Sequence, residues 1–446
     1  MRQTSTKCRQ DFAFSVTKII MVRSEHRLWR NGAISVHDLS VCRQQFPSLT
    51  RTTASHEPLI YLDGPGGSQV PYGVIGAIAE YYMHRNANTH GQFITSEESD
   101  AVIAQARSDV KAFLAAPETG SISFGQNMTT LNFLLSQAIG ATLKPGDEII
   151  VTDLDHDSNV APWLALAARG AVIRRVPITA SATLDMDAFK RLFSDKTRLV
   201  AVGWASNAVG TVNPLPTIRA WAKEAGSLFL VDAVHWAPHG PINATQLDPD
   251  FLLCSAYKFF GPHIGILYSK KGQLEALPTL RVRPQAPTAP ERIETGTLNH
   301  AALAGVSAAI QFIASLSDQT QLGWSDRIHQ AMENIYAYEH KLAKRLYTGL
   351  LTTPGVSVYG PAVGDEDRAP TVSFTMEDRS SEDVARALGH RGILAWDGDF
   401  YAMTLVDELG IRGQAGLVRL GLAPYNTMGE IERTLTVIRE VAAHGA

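Results

Sequence analysis

Seven short apolar runs between residues 121 and 268 alternate, for the most part, with stretches of helical spacing. The strand candidates are 121–124, 148–152, 171–176, 199–204, 228–231, 250–254 and 264–268, and helices are read over 130–139, 160–168, 185–193 and 216–225. Runs this apolar have no solvent face, so the strands must be covered on both sides. The order predicts an α/β fold with a mostly parallel seven-stranded sheet between helical layers. In such sheets ligands collect outside the carboxyl ends of the strands, which directs attention to the residues that end each run.

The flanking segments complete the architecture. Residues 37–325 read as one large domain whose first part could pack on the small domain, and residues 326–446 as a smaller C-terminal α+β domain with strands near 371–374 and 417–422. Ahead of them, residues 1–36 carry Arg2, Lys7, Arg9, Lys18, Arg23, Arg27 and Arg30 against Asp11 and Glu25. This basic stretch reads as a flexible extension preceding a natural start at Met21, with a transit peptide as the alternative. A short helix is predicted over 36–46, a strand over 59–63 running into the turn Gly64-Pro-Gly-Gly67, and helices over 71–84 and 96–115. The second of these should open on Ser96 as its cap. The polar loop between them, a substrate loop or a plain connection, contains His90, a candidate substrate contact.

Composition removes several classes of function. With 446 residues and 45% hydrophobic content the chain can bury a large core, and a formal net charge of -4 offers no strong field for nucleic acid or an acidic membrane. Only Cys8, Cys42 and Cys254 occur, without a CxxC pair, so neither a disulfide framework nor a cysteine metal site is expected and a reducing cytoplasm is favoured. No run is long enough to span a bilayer. A small zwitterionic substrate fits this balance best.

Five places concentrate polar chemistry. Phe124-Gly-Gln-Asn-Met128-Thr129 leads from a strand into a helix start, whose free N–H groups could bind phosphate through Met128 and Thr129, or be satisfied by an ordinary threonine cap. His156, in Asp153-Leu-Asp-His-Asp157, could lie against an aromatic ring; a metal site is the competing reading, weakened because its ligands crowd one loop. Asn207 offers an amide to a ring oxygen or carboxylate, or belongs to a turn. Asp232 ends an apolar strand and calls for a facing cation such as a protonated pyridine, with His235 three residues on. Lys258, in Ser255-Ala-Tyr257-Lys-Phe-Phe-Gly261, lies on the turn between the last two strands, where an amine could hold an aldehyde as a Schiff base or simply be a solvated charge.

Taken in order, these motifs resemble the fold-type I pyridoxal 5'-phosphate enzymes, specifically the class V aminotransferase and cysteine desulfurase-like family. Glu294-Thr-Gly-Thr297 and Arg419-Leu-Gly-Leu-Ala-Pro-Tyr-Asn-Thr427 extend the resemblance, which runs from about Val36 to the C-terminus. It implies pyridoxal 5'-phosphate as cofactor, Lys258 as its Schiff-base lysine, Asp232 as partner of the pyridine nitrogen, His156 as stacking group and His235 near the ring oxygen. It further implies Thr129, Ser255 and Tyr257 as phosphate ligands, Tyr257 standing where desulfurases usually have histidine. Thr297 would reach the phosphate of a neighbouring subunit, making a homodimer, and Arg419 would hold the substrate carboxylate.

One departure shapes the functional expectation. The family's persulfide-forming cysteine lies on a mobile loop whose match here, Gly392-Ile-Leu-Ala-Trp396-Asp-Gly-Asp399-Phe-Tyr401, has no cysteine; Trp396 suggests instead a wall of the substrate pocket. Lyase-type or related chemistry at the α or β carbon of an amino acid, without a persulfide cysteine, is therefore expected. Transamination, epimerisation and cysteine desulfuration are the alternatives. A pyridoxal-phosphate-binding regulator is the non-enzymatic one, for which residues 1–36 supply no helix-turn-helix module.

Overall fold

A computed structural model describes residues 39–364 and 368–443. The basic stretch 1–36, Met21 and Cys8 lie outside the described residues. Of the helix expected over 36–46, the described part is a 3-10 helix, Leu39–Gln45, with Leu39 and Cys42 buried.

A two-residue strand β1 (Ile60–Tyr61) precedes the seven strands of the main sheet: β2 (Ser121–Gly125), β3 (Glu148–Thr152), β4 (Val172–Val176), β5 (Thr197–Gly203), β6 (Leu228–Asp232), β7 (Phe251–Ser255) and β8 (Gly265–Ser269). Their spatial order is β2-β8-β7-β6-β5-β3-β4. β8 runs antiparallel to both neighbours, whereas the other pairings are parallel. Every residue of β3, β7 and β8 is buried, as their unbroken apolar runs require, while edge strand β4 exposes Val172 and Arg174 and half-buries Ile173 and Arg175. This α/β sheet is the one anticipated from the alternating pattern, and each anticipated run became one strand.

Beyond it lie β9 (Val356–Tyr359), β10 (Thr371–Met376), β11 (Ile393–Leu394), β12 (Trp396–Gly398) and β13 (Leu417–Gly421). β12, β13, β10 and β9 form an antiparallel sheet, while β11 pairs in parallel with β1. The 59–63 run leads into the Gly64–Gly67 turn as expected, and its strand joins a segment near the other end of the chain. Helix Trp324–Leu351 ties the halves together. Its Ile328, Met332 and Ile335 enter the main core, and Leu342, Leu346 and Leu350 enter the core under the second sheet. Spacing of three to four residues keeps both sets buried, each such side chain contributing about 1.5–3 kcal/mol by its removal from water.

Two helix starts differ from expectation. Helix Ile94–Phe113 begins ahead of Ser96, whose hydroxyl donates to Asn88 O at 2.6 Å and accepts from Gly91 N at 2.7 Å. Ser96 therefore ties down the preceding loop rather than capping the helix. At helix Met128–Gly140 the cap is Asn127, whose side chain accepts from Thr130 N at 2.8 Å. The threonines following it are left inside the first turn. Among the described residues, no helix is long and apolar enough to cross a membrane.

Candidate active site

The carboxyl ends of β5, β6 and β7 meet the Gly64–Gly67 turn and residues 396–401 at one cleft. Asp232 is the last residue of β6, in register with Gly203 and Leu253 on its neighbours. Buried there, its carboxylate accepts one hydrogen bond from Val234 N at 2.9 Å. Burial pushes its pKa up to about 6, against the opposing pull of that N–H and of Lys258.

Lys258 closes the 3-10 turn Ala256–Lys258 that follows β7. Its Nζ donates to Pro65 O and, at 3.3 Å, to Gly66 O. Part of its side chain stays open to solvent, yet the surrounding protein, reinforced by the charge of Arg419, lowers its pKa to about 7. The glycine turn comes this close because it is nested against β13: a side chain at Gly421 would run into Pro65, and one at Gly66 into Asp63.

Arg419, on β13, is buried. Its Nη1 donates to Asn207 O at 3.1 Å, its Nη2 lies 3.8 Å from Asp63, and its guanidinium carbon is 4.1 Å from the centre of the Phe400 ring. Asn207 Nδ2 in turn donates to Phe400 O at 2.9 Å. Asp63 has its pKa raised by burial, with Arg419, Trp396 and Lys258 opposing. Trp396 pairs with Arg419 across β12 and β13 and is 55% exposed, which sets it at the rim.

His156 stacks on Tyr401 with ring centres 5.3 Å apart and planes 23° from parallel. Its Nδ1 accepts from Ser158 N at 3.0 Å, which makes it the unprotonated nitrogen of a neutral ring; the Ser158 hydroxyl, 2.8 Å away, can donate to it as well. Burial first, then Lys258 and Arg419, lower its pKa to about 4. Ser255 Oγ accepts from Met128 N at 3.0 Å, joining the end of β7 to the start of helix Met128–Gly140. Thr129, one residue in, belongs to the first turn, whose N–H groups have no carbonyl partner within the helix. Tyr257 stacks on His263 at 4.7 Å and lies under Lys258 Nζ at 4.9 Å.

Three candidates sit differently from their sequence reading. His235 is buried, but its Nε2 is 3.0 Å from Thr371 Oγ1, so a strand of the second sheet takes the contact foreseen for a ring oxygen. His90 stands apart from the cleft: its imidazole is 87% exposed and faces Asp100 at 3.2 Å, because the loop carrying it turns outward at a left-handed residue. Thr297 is exposed beside Gln126 and Thr130, outside the cleft of its own chain. Glu294 of the same motif is buried, accepting from both Arg107 Nη1 and Nη2 at 2.8 Å and from Phe124 N at 2.7 Å.

Sequence reasoning passed over Asp63, Asp155, His239, Glu339 and Phe400. Asp155 accepts from Asn159 Nδ2 and Gly203 N, both at 2.9 Å, and burial pushes its pKa up to about 7. His239 meets Glu339 at 2.8 Å, and both are buried. Adjacent to His156 and an i+4 step from His235, Asp155 and His239 could have been flagged by position; Phe400 and Glu339 carried no local signal. Among the described residues no cluster of three or more His, Cys, Asp or Glu is placed to hold a metal ion.

Together this sheet and cleft define a fold-type I pyridoxal 5'-phosphate enzyme. Residues 60–434 match the family Aminotransferase class-V, and the chain belongs to it. It is 31% identical to a cysteine desulfurase of Pectobacterium atrosepticum over 90% of this chain and 97% of the relative. A probable cysteine desulfurase of Synechocystis is 36% identical, over 87% and 92%. The apo structure of a cysteine desulfurase from Thermococcus onnurineus superimposes with a TM-score of 0.80 at 29% identity, covering 90% of this chain and 97% of that one. These relatives overturn the expectation of lyase-type chemistry without a persulfide cysteine: they point to cysteine desulfuration, which the cysteine-free loop had disfavoured.

Pyridoxal 5'-phosphate is the cofactor of this family, and the residues present fit it. Asp232 is buried with a single backbone donor, as suits a partner for a cationic ring nitrogen. Asn207 Oδ1 and His235 Nδ1 are buried without a protein partner, leaving an acceptor and a ring nitrogen for a polar ligand. The helix start at Thr129 suits a phosphate.

Proposed function

We propose that this chain is a cysteine desulfurase, taking the sulfur from L-cysteine and releasing alanine. What carries the reading is the juxtaposition, in a chain 31–36% identical to named desulfurases, of an amine with pKa about 7 and a buried arginine beside one carboxylate. Pyridoxal 5'-phosphate, when bound, supplies an aldehyde carbon for an amine and a ring that withdraws electrons from the carbons attached to it.

The remaining chemistry falls to side chains. Arg419 binds the substrate carboxylate, its planar fork already oriented by Asn207 O and Phe400. Asp232 would keep a proton on a pyridine nitrogen placed opposite it. Lys258, with a pKa of about 7, is about half in the neutral form near pH 7 and in that form can take a proton from the substrate α-carbon. His156, neutral and held by Ser158, would cover the cofactor ring and could move a proton at its other nitrogen. Ser255, Met128, Thr129 and Tyr257 would hold the phosphate and Asn207 the ring oxygen, with Trp396 walling the substrate side. The exposed position of Thr297 supports its use at a second subunit's phosphate and hence a homodimer. Residues 37–325 and 326–446 act as large and small domains, and the low cysteine content, three in 446 residues, supports a reducing cytoplasm.

The test is product analysis of the reconstituted protein given L-cysteine and a thiol. Alanine in proportion to sulfane sulfur, lost in Lys258→Ala, supports desulfuration. Pyruvate and ammonia in place of alanine would reject it.

A further inference from the structure

We infer that sulfur leaves this site on a thiol that comes from outside the chain and enters beside Trp396 and Tyr401. The inference rests on the desulfurase reading. Desulfuration needs a nucleophile at the substrate sulfur, and the chain contains three cysteines. Cys42 and Cys254 are 1% and 0% exposed and belong to the main core, Cys254 inside β7. Burial raises the Cys254 thiol pKa, so no thiolate forms there near neutrality. Cys8 lies outside the stretch matched by the family, residues 60–434.

The segment over the cleft is built as a cover rather than a carrier. Phe400 and Tyr401 are consecutive non-glycine residues with φ of 55° and 59°, a conformation costing about 1–2 kcal/mol each. Their surroundings hold them there. Asn207 Nδ2 donates to Phe400 O at 2.9 Å, Asp157 N to Tyr401 O at 2.7 Å, and Tyr401 N to Asp399 Oδ1 at 3.0 Å. Each ring is also engaged, Phe400 with Arg419 and Tyr401 with His156. A segment fixed at both backbone and side chain, with no sulfur of its own, does not ferry sulfur. At its rim Trp396 and Tyr401 are 55% and 69% exposed, leaving aromatic edges against which an incoming molecule can rest.

The step balances without a further redox partner. The acceptor thiolate attacks Sγ of the bound cysteine; the new S–S bond forms as Cβ–Sγ breaks, and the electron pair of the broken bond stays on Cβ. That carbon takes a proton and becomes the methyl group of alanine. The two sulfurs are each oxidised by one electron and Cβ is reduced by two.

The experiment uses cofactor-loaded full-length protein and its Cys8→Ser variant at a fixed low L-cysteine concentration. Glutathione is added in one arm and a single-cysteine peptide in another. Alanine is followed, and alkylated persulfides on acceptor and protein are identified by mass. The expected result is an alanine rate that rises at least about tenfold with acceptor and saturates, equally in both proteins, with the extra sulfur on the acceptor. Saturation by glutathione identifies a small thiol as the source, and saturation by the peptide alone a protein thiol. Alanine formed with the sulfur on the chain itself, or lost in Cys8→Ser, overturns the inference and leaves desulfuration standing. Absence of alanine in every arm overturns both.

Discussion

The ring of Phe400 covers one face of the Arg419 guanidinium at 4.1 Å, so hydrogen-bonding partners must approach along the edges of that fork. Asn207 O and Asp63 already hold two of its nitrogens, which fixes the plane in which a carboxylate can be received. Arg419→Lys keeps the charge and loses the plane. We expect KM for L-cysteine to rise about ten- to hundredfold with a smaller change in kcat, as for loss of a charge-assisted hydrogen-bonded pair. Steady-state kinetics check this, and an unchanged KM with a lowered kcat would remove Arg419 from substrate binding.

Lys258 should make cofactor capture pH-dependent. Only the neutral amine attacks an aldehyde, and with a pKa of about 7 it is mostly protonated at pH 6 and mostly free at pH 8. The rate at which visible absorbance develops on adding pyridoxal 5'-phosphate to cofactor-free protein should therefore rise through pH 7 and level off. A rate still climbing steadily beyond pH 9 would mean that the amine keeps its ordinary basicity.

Asp155 should weaken the cofactor-free protein as pH rises. Its folded pKa of about 7 is above its unfolded value, so the folded state binds the extra proton. The stability this contributes is complete below about pH 4 and is lost as pH rises through 7. Asp155→Asn has no such dependence. Relative to wild type the variant should gain stability between pH 5 and pH 8, by at most about 3 kcal/mol, because about two pH units of that window lie below the folded pKa. Thermal melts at the two pH values decide it; a constant difference in Tm would show that Asp155 titrates normally.

Glu294 holds the fork of Arg107 and the backbone of Phe124 at once. Glu294→Ala leaves a largely buried guanidinium with only the half-exposed Glu291, 3.7 Å away, as its carboxylate and should cost about 3 kcal/mol. Chemical denaturation measures it. A loss below about 1 kcal/mol would place the pair among weakly contributing surface bridges.

Much of this was legible because it is local. The seven main-sheet strands announced themselves as unbroken apolar runs, and Asp232, His156 and Lys258 drew notice because each polar residue ends or follows one. What escaped was contact between distant segments. Nothing near His235 announces Thr371 on β10 as its partner, and nothing near Arg419 announces Phe400 above it. Ser96 looked like a helix cap because its neighbours suit a first turn, yet the loop behind it offered Asn88 O and Gly91 N at better geometry. The reaction class was misjudged for a related reason: a missing cysteine was read as missing chemistry, although a nucleophile need not belong to the same chain.

The parallel pairing of Ile60–Tyr61 with Ile393–Leu394 also bears on how the protein is made. Synthesis proceeds from the N-terminus, so the early strand emerges from the ribosome long before its partner exists. Its apolar residues Ile60 and Leu62, which finish in the core beneath the second sheet, stay unpartnered until nearly the whole chain is complete. The main sheet can assemble during translation, but the Gly64–Gly67 turn that meets Lys258 gains its seat against β13 only when that late strand arrives. The catalytic cleft is thus a post-translational product of folding, and nascent chains released early should lack it.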